Sequence, residues 1–96
     1  MKTPSEIGRE WTFLSNHGHV LVQLSRYPDS RIRDISESVG ITDRSAQAIL
    51  ADLEEAGYVT KSKVGRRNSY KVNLGLKFRH PSEAGRPISL LLKIFS

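Results

Sequence analysis

Two runs of apolar residues at helical spacing, joined through one glycine and one threonine, constrain this 96-residue chain more than any other feature. Ile32, Ile35 and Val39 lie along one face of a short helix, and Ile41 lies just beyond it. Gly40 falls at the helix end, where a left-handed backbone is needed. Thr42 follows as an N-cap, and Asp43 sits in the first turn, where the helix dipole favours an acid. Ala46, Ile49, Leu50 and Leu53 then recur at i, i+3, i+4 and i+7, and Ala56-Gly57 closes the run. The pattern predicts an eight-residue helix, a three-residue turn and a longer helix, which is a helix-turn-helix.

After Gly57 the period changes from helical to alternating. Tyr58 to Val64 reads as a strand, Gly65-Arg66-Arg67-Asn68 as a turn and Ser69 to Asn73 as the return strand. Val59, Tyr70 and Val72 fall on the faces that cover the helices. Upstream, Ser15 or Asn16 caps a helix that ends near Tyr27, before Pro28-Asp29, with Val20, Leu21, Leu24 and Tyr27 as its core stripe. Arg31-Ile32-Arg33 suits a small strand or the lead-in to the next helix. Thr3-Pro4-Ser5-Glu6 has the grammar of a helix start, with Ile7, Trp11 and Leu14 on one face; an extended arm is the competing reading. Residues 74–86, with Gly75, Pro81 and Gly85, read as an irregular connection. Pro87 opens a final helix with Ile88, Leu91, Leu92 and Phe95 in a stripe.

The expected fold class is therefore α+β, one domain over residues 1–96. It divides into an arm or helix (1–14), a core (15–73), a connection (74–86) and a C-terminal helix (87–96).

Charge is distributed unevenly. Residues 1–60 carry six basic and nine acidic side chains, a balance of −3, whereas residues 61–80 carry seven basic side chains and no acid. A basic block of this kind is either a solvated face or the footprint of a polyanion, and the absence of interrupting acids favours the footprint. Absence of cysteine excludes a disulfide framework, a zinc finger and a thiol nucleophile, and fits a reducing compartment. His17 and His19 point to different helix faces and His80 is remote, so no metal site and no cofactor are expected. No Gly-rich phosphate loop or nucleophile elbow is present, so no enzyme is expected. No apolar run spans a membrane, and Lys2 is followed by no apolar stretch of a secretory signal. A soluble cytoplasmic protein, associated with the nucleoid, is the expectation.

Helix-turn-helix followed directly by a hairpin is the winged-helix order. Residues 31–73, and above all DLEEAGYV and GRRNSY, resemble the core of MarR-like and ArsR-like transcriptional regulators. The first phrase is similar to the end of a recognition helix entering a wing strand, the second to a wing tip and its return. The resemblance implies selective binding of double-stranded DNA, usually by a homodimer acting as repressor or activator. The physical chemistry of the residues supports the same use. An α-helix fits the major groove, where its first turns meet base edges. Asp43, Arg44, Ser45, Gln47 and Ala48 are the expected readers: Arg44 suits guanine or a phosphate, and Gln47 suits adenine. The Thr42 and Ser45 hydroxyls suit phosphate oxygens. Asp43 either caps the helix or accepts from a cytosine amino group, with capping favoured. Arg66, Arg67 and Asn68 at the wing are expected on the minor groove or backbone, with Lys61, Lys63 and Lys71 on phosphates, and Arg31 and Arg33 adding backbone contacts.

The bland readings are an ordinary soluble hairpin tip for Arg66-Arg67 and solvent-facing helix residues for Ser45 and Gln47. Trp11 with Phe13 reads as packing rather than a ligand pocket. The apolar stripe Ile88, Leu91, Leu92 and Phe95 exceeds what a core of three helices needs, and together with Ile7, Trp11 and Leu14 it is expected at a homodimer interface. A small-molecule effector is not expected, or else one bound between protomers. Two rival functions remain: a winged helix used to bind protein through its acid-rich second helix, and a non-selective architectural nucleic-acid binder.

Overall fold

A computed structural model describes residues 11–96; the expected helix start at Thr3–Glu6 and the expected interface residue Ile7 lie outside the described residues. Helix α1 (Asn16–Arg26) begins at Ser15, whose hydroxyl accepts from the Gly18 N–H. Val20, Leu21 and Leu24 are buried, but Tyr27, expected on the same stripe, is exposed. The helix ends at Arg26 ahead of Pro28, and Tyr27 adopts a non-helical backbone that carries its ring off the stripe, where the Arg26 guanidinium lies 5.5 Å from its centroid.

Helix α2 (Ile32–Val39) starts directly at Arg31, so that segment is a helix lead-in and not a strand; the Arg31 N–H donates to Asp34 Oδ2 at 2.9 Å. Gly40 then takes φ +83°, ψ +36°, and its N–H and that of Ile41 both donate to the Ser36 carbonyl. Helix α3 (Asp43–Glu55) is capped by Thr42, whose Oγ1 accepts from the Ser45 N–H at 3.0 Å. A side chain at Gly40 meets the steric cost of the left-handed region. Gly40→Ala is therefore expected to lower folding stability by about 1–2 kcal/mol, read as a lower urea midpoint with unchanged slope.

Strands β1 (Val59–Val64) and β2 (Arg67–Val72) pair antiparallel, with Val59 opposite Val72 and Val64 opposite Arg67. The turn is only Gly65-Arg66, with φ +67° at Gly65 and no other described residue than glycine at positive φ. A glycine at the first of two central positions matches the twist of the flanking strands. The four-residue turn expected over Gly65–Asn68 is thus too long: Arg67 and Asn68 belong to β2. The outer side of β2 is covered by the α1–α2 loop, where the Tyr70 N–H donates to the Pro28 carbonyl at 3.1 Å.

The core forms where the inner faces of the three helices meet the base of the hairpin, through Leu24, Ile35, Ala46, Leu50, Val59 and Tyr70 among others. Residues 73–88 return along the hairpin base as an irregular segment held by the Tyr58 hydroxyl, which donates to the Lys77 carbonyl, and by a single bridge between Lys77 and Pro87. The last helix, α4 (Ser89–Ile94), is shorter than expected. Ile88 and Leu92, each 2 % exposed, fill this protomer's own core instead of standing free as interface residues. Three short helices and a hairpin leave one end of the core open, and these two side chains close it.

Candidate nucleic-acid interface

The heptad arithmetic of α3 separates its two faces. Ala46, Ile49, Leu50 and Leu53 are buried, so Arg44, Gln47, Ala48 and Ala51 line the outward face. That face carries no acid over its first turns apart from Asp43. Of the three acids at the other end, Glu55 is exposed, whereas Asp52 and Glu54 interact with other elements. Asp52 Oδ2 lies 2.8 Å from His17 Nε2 on α1. Glu54 is half-buried, and its charge, after burial itself, helps push the Tyr70 phenol above its ordinary pKa; a side-chain hydrogen bond with Asn68 partly offsets both. The acids of α3 are therefore concentrated at its far end, and past Asp43 its first turns present none. Ala48 was expected in this face; Ala51 was not singled out, although it stands three residues on. With side chains this small, the helix axis can approach a groove floor closely.

Asp43 is turned back onto α2. Its Oδ1 accepts the Ser36 hydroxyl and its Oδ2 lies 3.6 Å from Arg33 Nε. Thr42 and Ser45, expected on phosphates, are partly used on each other: beyond the cap, Thr42 Oγ1 donates to Ser45 Oγ at 2.9 Å. The capping role thus falls to Thr42, and Asp43 braces the start of α3. Ser36 escaped sequence reasoning, though its position four residues after Ile32 placed it on the buried stripe of α2.

The register of the hairpin divides its basic residues. Lys61, Lys63 and Asn68 share the face whose base is the buried pair Val59 and Tyr70 with the half-buried Val72, whereas Arg67 and Lys71 lie on the opposite face. Arg66 occupies the tip. All six are exposed, as are Arg31 and Arg33. The Arg67 guanidinium also donates to the Asp29 carbonyl at 3.4 Å, tying the wing to the α1–α2 loop. Cations on both faces of a narrow ribbon, with one at its end, produce positive potential around the whole tip.

No helix among the described residues is long and apolar enough to cross a membrane, and no group of three or more of them with His, Asp or Glu side chains is placed to hold a metal ion.

Three helices, the second and third joined by a tight turn, followed by an antiparallel hairpin with a cationic tip, define a winged helix. Residues 15–60, just under half of the chain, match the family described as winged helix-turn-helix DNA-binding, in agreement with this architecture. That family is typically non-enzymatic. A search of curated proteins finds no match to the chain.

Proposed function

We propose that the protein is a transcriptional regulator of the MarR-like and ArsR-like kind, binding duplex DNA selectively as a homodimer on the cytoplasmic nucleoid. The observation that carries this reading is the outward face of α3, where Arg44 and Gln47 stand among small residues, between a capped helix start and a basic hairpin. Arg44 reads guanine or grips phosphate, Gln47 reads adenine, and Arg31, Arg33 and the wing hold the backbone.

The homodimer draws support from apolar groups left uncovered in one protomer. Trp11 and Phe13 are 79 % and 90 % exposed, and Leu90 and Ile94 on the last helix and Phe95 directly after it are exposed. Leu14 and Leu91 line one open groove of about 980 Å³, so the N- and C-terminal segments border the same surface. The interface proposed here keeps Trp11, Leu14, Leu91 and Phe95 and replaces Ile88 and Leu92 by Leu90 and Ile94. For the dimer to read two half-sites, a two-fold axis there has to set the two α3 helices about 34–36 Å apart along one face of the duplex.

Selection from a random duplex library, with sedimentation in parallel, tests this reading. The expected outcome is an enriched site of two half-sites about one helical turn apart, bound by a dimer that Ile94→Glu converts to monomer. Equal binding of all duplexes and of RNA would leave an architectural binder instead. A folded protein that binds no duplex at low salt would point to protein recognition.

A further inference from the structure

The start of α3 carries a negative charge at a place where a DNA-binding helix usually profits from a positive one. A 13-residue helix presents the positive end of its dipole and free N–H groups at its N-terminus, which attract phosphate without regard to sequence. Here the Ser45 N–H is taken by Thr42, and the Asp43 carboxylate stands in the first turn. That carboxylate is fixed. Ser36, 3 % exposed, has one hydroxyl hydrogen and two acceptors in reach, the Arg33 carbonyl at 3.1 Å and the closer, charged Asp43 oxygen, which takes it. On its other side the carboxylate faces the Arg33 guanidinium, in a pair exposed enough to add little to folding.

We propose that Asp43 is a positioning residue that sets the selectivity of the helix-turn-helix face: held by Ser36, it tempers Arg33 and keeps a fixed negative charge where a phosphate would otherwise settle. This rests on the DNA-binding reading above. Approach of a bare backbone at this point meets the acid, so general affinity is held down. Approach in the register that brings α3 into the groove relieves the conflict, because base edges offer amino donors there. The affinity of the wing for phosphate is thereby left to act over the whole duplex, while the helix start contributes only at the right one.

The test compares wild type, Asp43→Asn, Ser36→Ala and Asp43→Asn/Arg33→Ala on a random duplex and on the selected site, over a series of salt concentrations. Asparagine still accepts the Ser36 hydrogen, so Asp43→Asn removes charge and keeps the brace. It is expected to bind random duplex tighter, on the order of fivefold at low salt, the worth of one charge at contact distance in water. Its salt slope steepens by about one, and the ratio of selected to random affinity falls. Adding Arg33→Ala cancels the gain. Ser36→Ala frees the carboxylate without removing it, so the ratio falls while the slope stays. Equal weakening of both duplexes by Asp43→Asn, at unchanged slope, would overturn the proposal and leave Asp43 a structural residue in a DNA-binding protein. A wild type that binds all duplexes alike, or none, removes the selectivity that Asp43 is held to set, and in the second case the DNA reading with it.

Discussion

Arg66→Ala/Arg67→Ala is expected to weaken binding to random-sequence duplex on the order of 50-fold at 0.1 M salt, with a salt slope shallower by about two, the amounts that follow from losing two phosphate contacts. Fluorescence anisotropy of a labelled duplex at several salt concentrations reads both quantities. The two arginines are not equivalent. Arg66 stands in the turn, whereas Arg67 opens β2 and already donates to the Asp29 carbonyl. Arg66→Ala alone should therefore take about one unit from the slope and leave the melting curve unchanged. Arg67→Ala should also loosen the wing from the α1–α2 loop, which a protease accessibility assay at that loop detects. Unchanged slopes in the double variant would remove the wing tip from the interface and leave Lys61, Lys63 and Lys71 with Arg44, Arg31 and Arg33 to carry the backbone.

Ile35→Ala is expected to have the largest effect on folding, about 3–4 kcal/mol, which is a large part of the 5–15 kcal/mol usual for a domain. Ile35 is fully buried, one of the three largest side chains so enclosed, and it is the apolar anchor of an eight-residue helix. A helix this short has no stability of its own in water, so its place on α1 and α3 depends on that anchor. The urea midpoint checks the prediction, with Glu37→Ala, on the exposed side of the same helix, as a control expected within about 0.5 kcal/mol of wild type. A loss of less than about 1 kcal/mol at Ile35 would mean that the three helices do not meet where the structure puts them.

The helix-turn-helix could be read from the chain because its signals are local. Apolar spacing, a glycine at the left-handed position and a capping threonine each act within one turn of the residues that carry them. The hairpin was legible in its strands and not in its turn. Arg67 and Asn68 are polar enough to pass for turn residues, and only the positive φ of Gly65, together with the anchorage of β2 on Pro28, closes the ribbon in two residues. The last helix shows the opposite difficulty. An amphipathic stripe announces that something must cover it but not what, and the open end of the protomer's own core claimed Ile88 and Leu92 first. In the candidate interface the residue types were legible and their partners were not. That Asp43 bonds to Ser36 depends on how two helices are set against each other, and a serine on a buried stripe carries no mark of the acceptor it will find.

One strand edge remains unpaired among the described residues. Along β2 the loop at Pro28 supplies a partner, but among the described residues β1 pairs on one side only, and an unpaired edge is a template on which further chains can stack. Lys61 and Lys63 lie on this strand, and a cation on an exposed edge discourages that stacking by repulsion between like ribbons. The same two side chains that are proposed to draw the wing toward DNA thus keep it from its own copies in the crowded, DNA-free state. The charge that makes the ribbon adhesive to nucleic acid also makes it colloidally inert.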